Sequence, residues 1–289
     1  METNERKTST VLSILDTWPE YYDHMDEGIG TTYERFILHR YFIKLKEEYD
    51  VQSILETPSF GMTGVSLINS IWWSAQGITP TVLDTNDERI EKSQKVWDSV
   101  PLSAKLQKID DAGDVPFAEN EFDMSWNFAS LWFVKNMPEY VSSLCKSTKK
   151  VIFICVPNAN GLGFHLRTKF NNEVIPDFYI KNILPKNFVP LFEQNGWKKK
   201  KAGYLDIPPW PDIAMKKEDM LRKAGLGFLV KEDQQNGETT FEKKCIVDFF
   251  SGTNPGLEED ILKYDFLEKA PFPIKQVWGH HRWFIFEQA

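Results

Sequence analysis

The sequence has few cysteines, no long apolar run and no excess of basic residues. Its three cysteines, Cys145, Cys155 and Cys245, lie far apart and lack CxxC spacing, which argues against a disulfide framework and against a zinc site. No apolar stretch approaches the roughly 20 residues that span a bilayer, and the N-terminus lacks the charged-then-apolar pattern of a signal peptide. We therefore expect a cytoplasmic protein that holds no metal and inserts in no membrane.

Positive charge is also scarce, since the formal net charge is −8. A nucleic-acid-binding protein usually carries a basic face that neutralises phosphates, and the single basic run here, residues 198–201, is more typical of a solvated strand edge. Aromatic residues are abundant instead, at 14% of the chain. Beyond those that form the core, some are available to line an apolar pocket, so we expect a small-molecule partner and no nucleic acid. The pattern does not determine an oligomeric state.

Predicted strands alternate with predicted helices along most of the chain. A short apolar run at 51–55, the segments 81–84, 102–109 and 122–127, and an unbroken apolar run at 151–156 are typical of buried strands. Helical patterns at 86–99, 138–147 and 185–195 separate or follow them, and 197–205 and 282–287 complete the strands. The alternation predicts an α/β fold, a doubly wound parallel sheet with helices on both faces.

The segment 51–84 has the pattern of a nucleotide-binding unit. An apolar strand stops at Glu56, a turn containing Gly61 and Gly64 follows, and a helix is predicted with Val65, Ile68, Trp72 and Ala75 on one stripe. The next strand ends at Asp84, where an acidic side chain can accept hydrogen bonds from ribose hydroxyls. Each feature has a structural alternative, because glycines are common in turns and an Asp before a helix is often its cap.

The most specific string lies at 111–123 and reads Asp-Ala-Gly-Asp-Val-Pro-Phe-Ala-Glu-Asn-Glu-Phe-Asp. With the Gly-bearing turn and the acid that ends the second strand, it resembles the class I S-adenosylmethionine-dependent methyltransferases, in particular their type 11-like domain. The resemblance covers about residues 54–205 and the last ten residues. It implies a Rossmann-like sheet of seven strands whose last strand is antiparallel, and S-adenosyl-L-methionine as the cofactor.

The resemblance also implies the roles of individual residues. Asp84 would bind the ribose hydroxyls, Asp111 the adenine amino group, and Asn127 and Phe128 would flank the sulfonium and its methyl group. The cradle for the methionine and ribose part would be the turn that follows the first strand, and it would use Glu56, Gly61 and Gly64. The turn departs from the family pattern because Pro58 and Phe60 stand where glycines are expected.

Three parts of the chain follow from this interpretation. Residues 1–50 would form an N-terminal helical cap, 51–205 with 279–289 the methyltransferase core, and 206–278 a helical insertion that serves as a lid or substrate pocket. Because the insertion precedes an antiparallel last strand, it would leave and re-enter the sheet at the active-site edge. His280 and His281 begin that strand, and with His39 they are the candidates for a general base. The more common role of such histidines is structural, at a strand end that faces solvent, and this alternative stays open for each of them.

The predicted function is transfer of a methyl group to a small-molecule acceptor by in-line displacement. The methyl group is already activated on a cationic sulfur, so the protein mainly has to orient the reactants and exclude water. Two other functions stay open. One is methylation of a protein, which needs an open groove, and the other is a non-catalytic binding or scaffold protein that keeps the fold, which the altered glycine turn favours.

Overall fold

The structure is a computed structural model that describes residues 13–60, 64–169, 178–208 and 244–289. Several sequence-based predictions lie outside these ranges. They concern Gly61 and the greater part of the predicted insertion, residues 209–243.

A seven-stranded sheet forms the centre of the molecule. Its spatial order is β3-β2-β1-β4-β5-β7-β6, and β7 runs antiparallel to both of its neighbours while every other pairing is parallel. The strands are β1 (Ile54–Glu56), β2 (Thr81–Asp84), β3 (Lys105–Lys108), β4 (Phe122–Phe128), β5 (Thr148–Pro157), β6 (Trp197–Leu205) and β7 (His281–Gln288). The predicted fold class, a Rossmann-like sheet with an antiparallel last strand, is confirmed, and the order and directions are those of the class I methyltransferase fold.

The strand order reverses between β1 and β4. From β1 the chain moves outward to β2 and β3, and it then returns to place β4 on the other side of β1. In an open α/β sheet, such a reversal opens a crevice at the carboxyl ends of the strands, where ligands bind. Since β7 is antiparallel, its first residue, His281, pairs with the last residues of β5 and β6, Pro157 and Leu205. The start of β7 therefore lies on the same edge as the crevice.

Helices precede the sheet and connect its strands. The described helices are α1 (Ser13–His24), α2 (Gly28–Tyr49), α3 (Ile71–Ala75), α4 (Asp87–Asp98), α5 (Met137–Ser147), α6 (Leu162–Lys169), α7 (Pro185–Gln194), α8 (Ile246–Phe250), α9 (Leu257–Leu262) and α10 (Phe272–Trp278). The helix α2 is buried along much of its length, and its residues include Tyr33, Phe36 and Phe42, which are inaccessible to solvent. This burial explains why α2 shows almost no amphipathic pattern in the sequence.

The helix predicted from Val65 is wrong at its start. Residues 64–70 form turns, and α3 begins only at Ile71. Leu67 has a positive φ of 62°, which a helix does not accommodate, and the side chains of Asn69 and Ser70 bond to Glu56 rather than lying along a helix surface. Gly77 follows the end of α3 with a positive φ of 80°, which is common for a glycine just after a helix.

Two helices were not anticipated from the sequence. The helix α6 lies a few residues after Pro157, and α10 begins between Pro271 and Pro273. Proline is compatible with the first turn of a helix, because the N–H groups there have no partner within the helix. The helix α9 is followed by a short 3₁₀ helix, Asp265–Lys269.

The core is rich in aromatic side chains. Phe42 from α2 packs edge-on against Trp126 of β4, with ring centroids 4.7 Å apart, and Trp126 stacks on Phe153 of β5. Each such side chain contributes about 1.5–3 kcal/mol when it is fully buried. These contacts fix α2 across one face of the sheet, which determines where its polar residues lie. Within the described residues, no helix has the length and hydrophobicity required to cross a membrane.

Candidate functional site

The loop that follows β1, residues 57–60, is fastened across the point where the strand order reverses. The carbonyl oxygen of Thr57 accepts a hydrogen bond from the Tyr140 hydroxyl at 2.7 Å, and that of Pro58 accepts one from Asn127 Nδ2 at 2.9 Å. The Ser59 hydroxyl donates to the carbonyl oxygen of Leu83 in β2 at 2.8 Å. The loop is thus tied to β2, to the end of β4 and to α5. Where the family pattern has a glycine-rich turn, this chain has a turn held by hydrogen bonds.

Asp84 ends β2, as predicted, and its carboxylate is bound by an arginine. Arg89 donates from Nε to Oδ2 at 3.0 Å and from Nη2 to Oδ1 at 2.6 Å, while the Asn86 N–H donates to Oδ1 at 2.8 Å. The guanidinium of Arg89 lies 3.9 Å from the ring centroid of Phe60. Asp84 is not the cap of α4, because Asn86 is the residue whose side chain accepts the free N–H of the first turn. We call loop 57–60 with Asp84, Arg89 and Asn127 the switch-point site.

Two polar atoms of the switch-point site stay unsatisfied. Thr57 Oγ1 and Asn127 Oδ1 are both buried, and neither has a hydrogen-bond partner in the described part of the chain. A buried polar atom without a partner costs about 1–3 kcal/mol, so such atoms are uncommon unless a ligand or water completes them. Both belong to strand ends that border the crevice. Both atoms are free to accept a hydrogen bond from a donor in the crevice.

Glu56, the last residue of β1, is fully buried beneath the loop. It accepts hydrogen bonds from Asn69 Nδ2 at 3.1 Å and from the Ser70 hydroxyl at 2.6 Å. Burial raises the pKa of Glu56 to about 7, although these hydrogen bonds and the nearby positive charge of Arg35 lower it in part. Its carboxyl group therefore links β1 to the turn before α3. The cofactor role predicted for Glu56 stays a prediction.

Gly64 adopts a left-handed conformation, with φ of 63°, against residues of α2 and its N-terminus. A Cβ atom at this position would lie 2.7 Å from Thr31 Cγ2 and would also collide with the Glu27 carboxylate. That carboxylate accepts hydrogen bonds from Arg35 Nη2 at 2.5 Å and from the Val65 N–H at 2.8 Å. The backbone at Gly64 is therefore in close contact with the protein's own N-terminal helix. A cofactor role for Gly64 is not tested by this contact.

Asp111 and Phe128 occupy very different surroundings. Asp111 is exposed, and its carboxylate accepts the Gly113 N–H at 2.8 Å within its own turn. Phe128 is buried at the end of β4, and its ring lies 4.7 Å from the ring of His281, measured between centroids. The structure thus brings Phe128 and His281, both predicted site residues, into contact. Asp111 lies near a surface groove of about 380 Å³ formed by the end of β3, residues 113–116 and α5.

Near the start of β7, a second polar group combines residues from three parts of the chain. His280 Nδ1 lies 3.1 Å from Asp206 Oδ2, and His281 Nδ1 lies 3.3 Å from Glu34 Oε1. We call Glu34, Asp206, His280 and His281 the carboxylate–histidine cluster. Burial raises the pKa of Glu34 well above its ordinary value, and the negative charge of Asp206 acts in the same direction. The sequence-based candidates His280 and His281 are therefore neighbours of two buried carboxyl groups.

His39, the third histidine candidate, is enclosed by aromatic rings. Its imidazole packs near Phe36, Phe42, Trp72 and Phe250 at centroid separations of 5.7–6.3 Å. Burial, assisted by the positive charge of Arg35, lowers the pKa of His39 to about 3. The imidazole is neutral at neutral pH. A base of such low pKa accepts a proton poorly, which makes His39 the weakest of the three candidates.

Four residues of these sites were not selected from the sequence: Glu27, Glu34, Arg89 and Asp206. Arg89 follows Asp84 by five positions, in the first turn of α4, and this closeness in sequence could have suggested the pair. Glu34 and Asp206 are 172 positions apart, and no local pattern connects them. Only the packing of α2 over the sheet edge brings them together.

No protein-family model matches the chain, and no curated protein matches its sequence. Solved structures do superpose on it. One is a SAM-dependent methyltransferase from Archaeoglobus fulgidus, with 13% identity, 88% of this chain and 94% of that chain covered, and a TM-score of 0.48. Another is the [4+2]-cyclase SpnF, with 12% identity, 86% and 80% covered, and a TM-score of 0.46.

A third similar structure is a SAM-dependent methyltransferase from Methanosarcina mazei, with 14% identity, 56% of this chain and 87% of that chain covered, and a TM-score of 0.43. The fold assignment does not depend on these superpositions. It rests on the strand order and the strand directions.

Proposed function

We propose that this protein transfers a methyl group from S-adenosyl-L-methionine to a small-molecule acceptor. The observation that carries the proposal is the pair of unsatisfied acceptors, Thr57 Oγ1 and Asn127 Oδ1, at the crevice of a sheet with the class I methyltransferase order. The buried Asp84 carboxylate ends the neighbouring strand β2. A ligand with several hydroxyl and amino donors matches such a set of acceptors.

The residues of the switch-point site and of the neighbouring turns would each have a separate role in binding the cofactor. Asp84 would accept the ribose hydroxyls, which requires the Arg89 guanidinium to withdraw from at least one carboxylate oxygen. Asn127 and Thr57 would accept donors at the ends of β4 and β1. Glu56 would keep the turn before α3 in place through Asn69 and Ser70. A role for Asp111 at the adenine would require its side chain to leave the Gly113 N–H.

The bound cofactor supplies a methyl group on a cationic sulfur, which leaves as a neutral thioether. The protein then has to align the acceptor and exclude water, an orientation effect worth about 7–11 kcal/mol in favourable cases. Phe128, buried beside His281, provides an apolar wall at the end of β4. His281 is the best placed candidate to accept a proton from the acceptor, because its ring touches that wall. The insertion 206–278 would close over the acceptor as a lid.

A second function is favoured by one specific observation, the closed state of the switch-point site. Arg89 neutralises Asp84 with two hydrogen bonds and lies against the face of Phe60, so three side chains fill the place where ribose would bind. A non-catalytic binding or scaffold protein with this fold would have no reason to keep the site open. The two functions differ in whether the cofactor displaces Arg89.

Isothermal titration calorimetry with S-adenosyl-L-methionine separates these functions. If the protein is a methyltransferase, wild type binds one equivalent, and Asp84→Asn weakens binding at least tenfold because the ribose hydroxyls lose an anionic acceptor. Glu88→Gln is the matched control, since it removes an exposed carboxylate of α4 four positions away and should leave the affinity unchanged. Absence of binding at millimolar cofactor, or equal affinity in both variants, contradicts the proposed site and supports the non-catalytic alternative.

A further inference from the structure

We propose that the carboxylate–histidine cluster is a binding site for a first-row divalent metal ion such as Zn²⁺, with Glu34, Asp206 and His280 as its ligands. Among the described residues these three each offer one ligand atom, and the three atoms lie within 4.8 Å of one another. The inference is independent of methyl transfer, because it concerns residues outside the switch-point site.

The separation between two of the proposed ligands is one that a metal ion requires. With metal–ligand bonds of about 2.0–2.2 Å, neighbouring ligand atoms lie about 2.8–3.6 Å apart in octahedral or tetrahedral geometry. His280 Nδ1 and Asp206 Oδ2 are 3.1 Å apart. An ion bound between these atoms and the Glu34 carboxylate would contact one oxygen of each carboxylate.

Unsatisfied oxygens provide a second and separate observation. Glu34 Oε2 and Asp206 Oδ1 are buried and have no hydrogen-bond partner in the described part of the chain. The Glu34 side chain is 7% exposed and the Asp206 side chain 1%. Two carboxylates placed together in a low-dielectric interior repel each other, so a buried pair needs a cation or protons. A divalent ion with two carboxylates and a neutral imidazole balances the charge.

The backbone holds these ligands in place without help from an ion. The His280 N–H donates to the Asp206 carbonyl at 3.0 Å, which fixes the end of β6 beside the start of β7. The Asn158 N–H donates in turn to the His280 carbonyl at 2.8 Å, which adds the end of β5. Glu34 is carried by α2, a helix of 22 residues packed on the sheet. Ligands on such anchored elements can hold an ion without a large loss of entropy.

The donor set selects the class of ion. Two carboxylates with one imidazole suit Zn²⁺ and its first-row neighbours, whereas Mg²⁺ and Ca²⁺ prefer sites made of oxygen alone. The buried thiol Cys155 lies near this cluster, since the charges of Glu34 and Asp206 both raise its pKa. Cobalt(II) bound in place of zinc has an absorption spectrum that differs between a site with a thiolate ligand and a site without one.

The test is a titration of the full chain, stripped of metal by a chelator, with Zn²⁺ followed by calorimetry. We expect one equivalent to bind, and His280→Gln and Glu34→Gln each to weaken binding at least tenfold. His165→Gln removes an exposed imidazole elsewhere in the chain and should leave the affinity unchanged. Near-ultraviolet circular dichroism establishes that each variant is folded.

Cobalt(II) absorption of the wild-type protein provides a measurement that needs no variant. The proposed ligands predict visible d–d bands without a thiolate charge-transfer band in the near ultraviolet. Failure of wild type to bind Zn²⁺ would show that the carboxyl groups share a proton instead and would overturn the proposal. So would equal affinity in His280→Gln and His165→Gln, or a thiolate band in the cobalt spectrum.

Discussion

In the switch-point site the buried carboxylate of Asp84 faces an arginine, whereas in the carboxylate–histidine cluster Glu34 and Asp206 face histidines and each other. An arginine is always charged, so the first region is neutral without a ligand. A histidine is charged only when both of its ring nitrogens hold a proton, so the charge balance of the second region depends on protons or on a bound cation. The fold thus contains one buried carboxylate whose charge is balanced by an arginine of the protein, and one pair of carboxyl groups whose charge is balanced by protons or by a bound cation.

Helix α2 contributes to the carboxylate–histidine cluster and also holds the turn that contains Gly64. Its adjacent residues Glu34 and Arg35 serve different sides, since Glu34 joins the carboxylate–histidine cluster while Arg35 binds Glu27 and the Val65 carbonyl beside Gly64. Neighbouring residues on a helix point about 100° apart, so one buried helix can supply both groups. A change in the position of α2 would therefore alter the carboxylate–histidine cluster and the Gly64 turn together, whereas no described side chain of α2 bonds to the switch-point site. Variants that act on one region alone therefore test how far they are independent.

The largest effect is expected from removal of Asp84. Asp84→Ala leaves Arg89 as a buried charge without its partner and should lower the free energy of unfolding by about 3–5 kcal/mol, measured by urea denaturation. In the metal-free protein Glu34→Gln should cost much less, because no arginine or lysine forms an ion pair with Glu34 among the described residues. An equal loss in both variants would remove the distinction between the two regions.

The double variant Asp84→Ala/Arg89→Ala sharpens this prediction. It leaves no unpaired buried charge, so its loss of stability should be smaller than the sum of the losses in the two single variants. Simple additivity would mean that the ion pair is not coupled. Glu88→Ala, which breaks an exposed pair with Lys92, serves as the control and should change stability by less than about 1 kcal/mol.

A smaller but sharper effect is expected from two glycines that both have a positive φ. Gly64→Ala must adopt a left-handed conformation, which costs about 1–2 kcal/mol, and its Cβ must also displace Glu27 and Thr31. Gly77→Ala carries the backbone cost alone, because no atom lies within 4 Å of the added Cβ. The difference in unfolding free energy between these variants measures how tightly α2 is packed on the turn. Equal losses of stability would show that α2 moves to accommodate the added Cβ atom at position 64.

The most gradual effect concerns the pH dependence of stability. The pKa of Glu56 is about 7 in the folded protein and near 4.5 when unfolded, so between these values the folded state binds the extra proton. Stability from this group is therefore complete below about pH 4.5 and declines as pH rises to about 7, by up to about 3 kcal/mol. Urea denaturation at several pH values should show a shallower decline in Glu56→Gln. An identical slope in both proteins would contradict the prediction.

The fold was predictable because its signals are local. The apolar run at 151–156 and the alternation of strands with helices identified a doubly wound sheet, and the Asp111 string identified which kind. The sequence likewise predicted that Asp84 ends β2. What failed was the start of α3, because the turn at 64–70 is determined by Leu67 in a left-handed conformation and by side-chain bonds to Glu56.

Sequence by itself therefore determined the order of elements, the direction of the last strand and the edge at which polar residues collect. Only the tertiary structure decided which side chains pair with the buried carboxylates at that edge. Arg89 pairs with the carboxylate of Asp84 because α4 begins just after β2. Glu34 lies beside Asp206 and the two histidines because α2 packs across strands that are distant in sequence. Periodicity and turn chemistry act over a few residues, whereas buried charges are paired by packing, which no local pattern records.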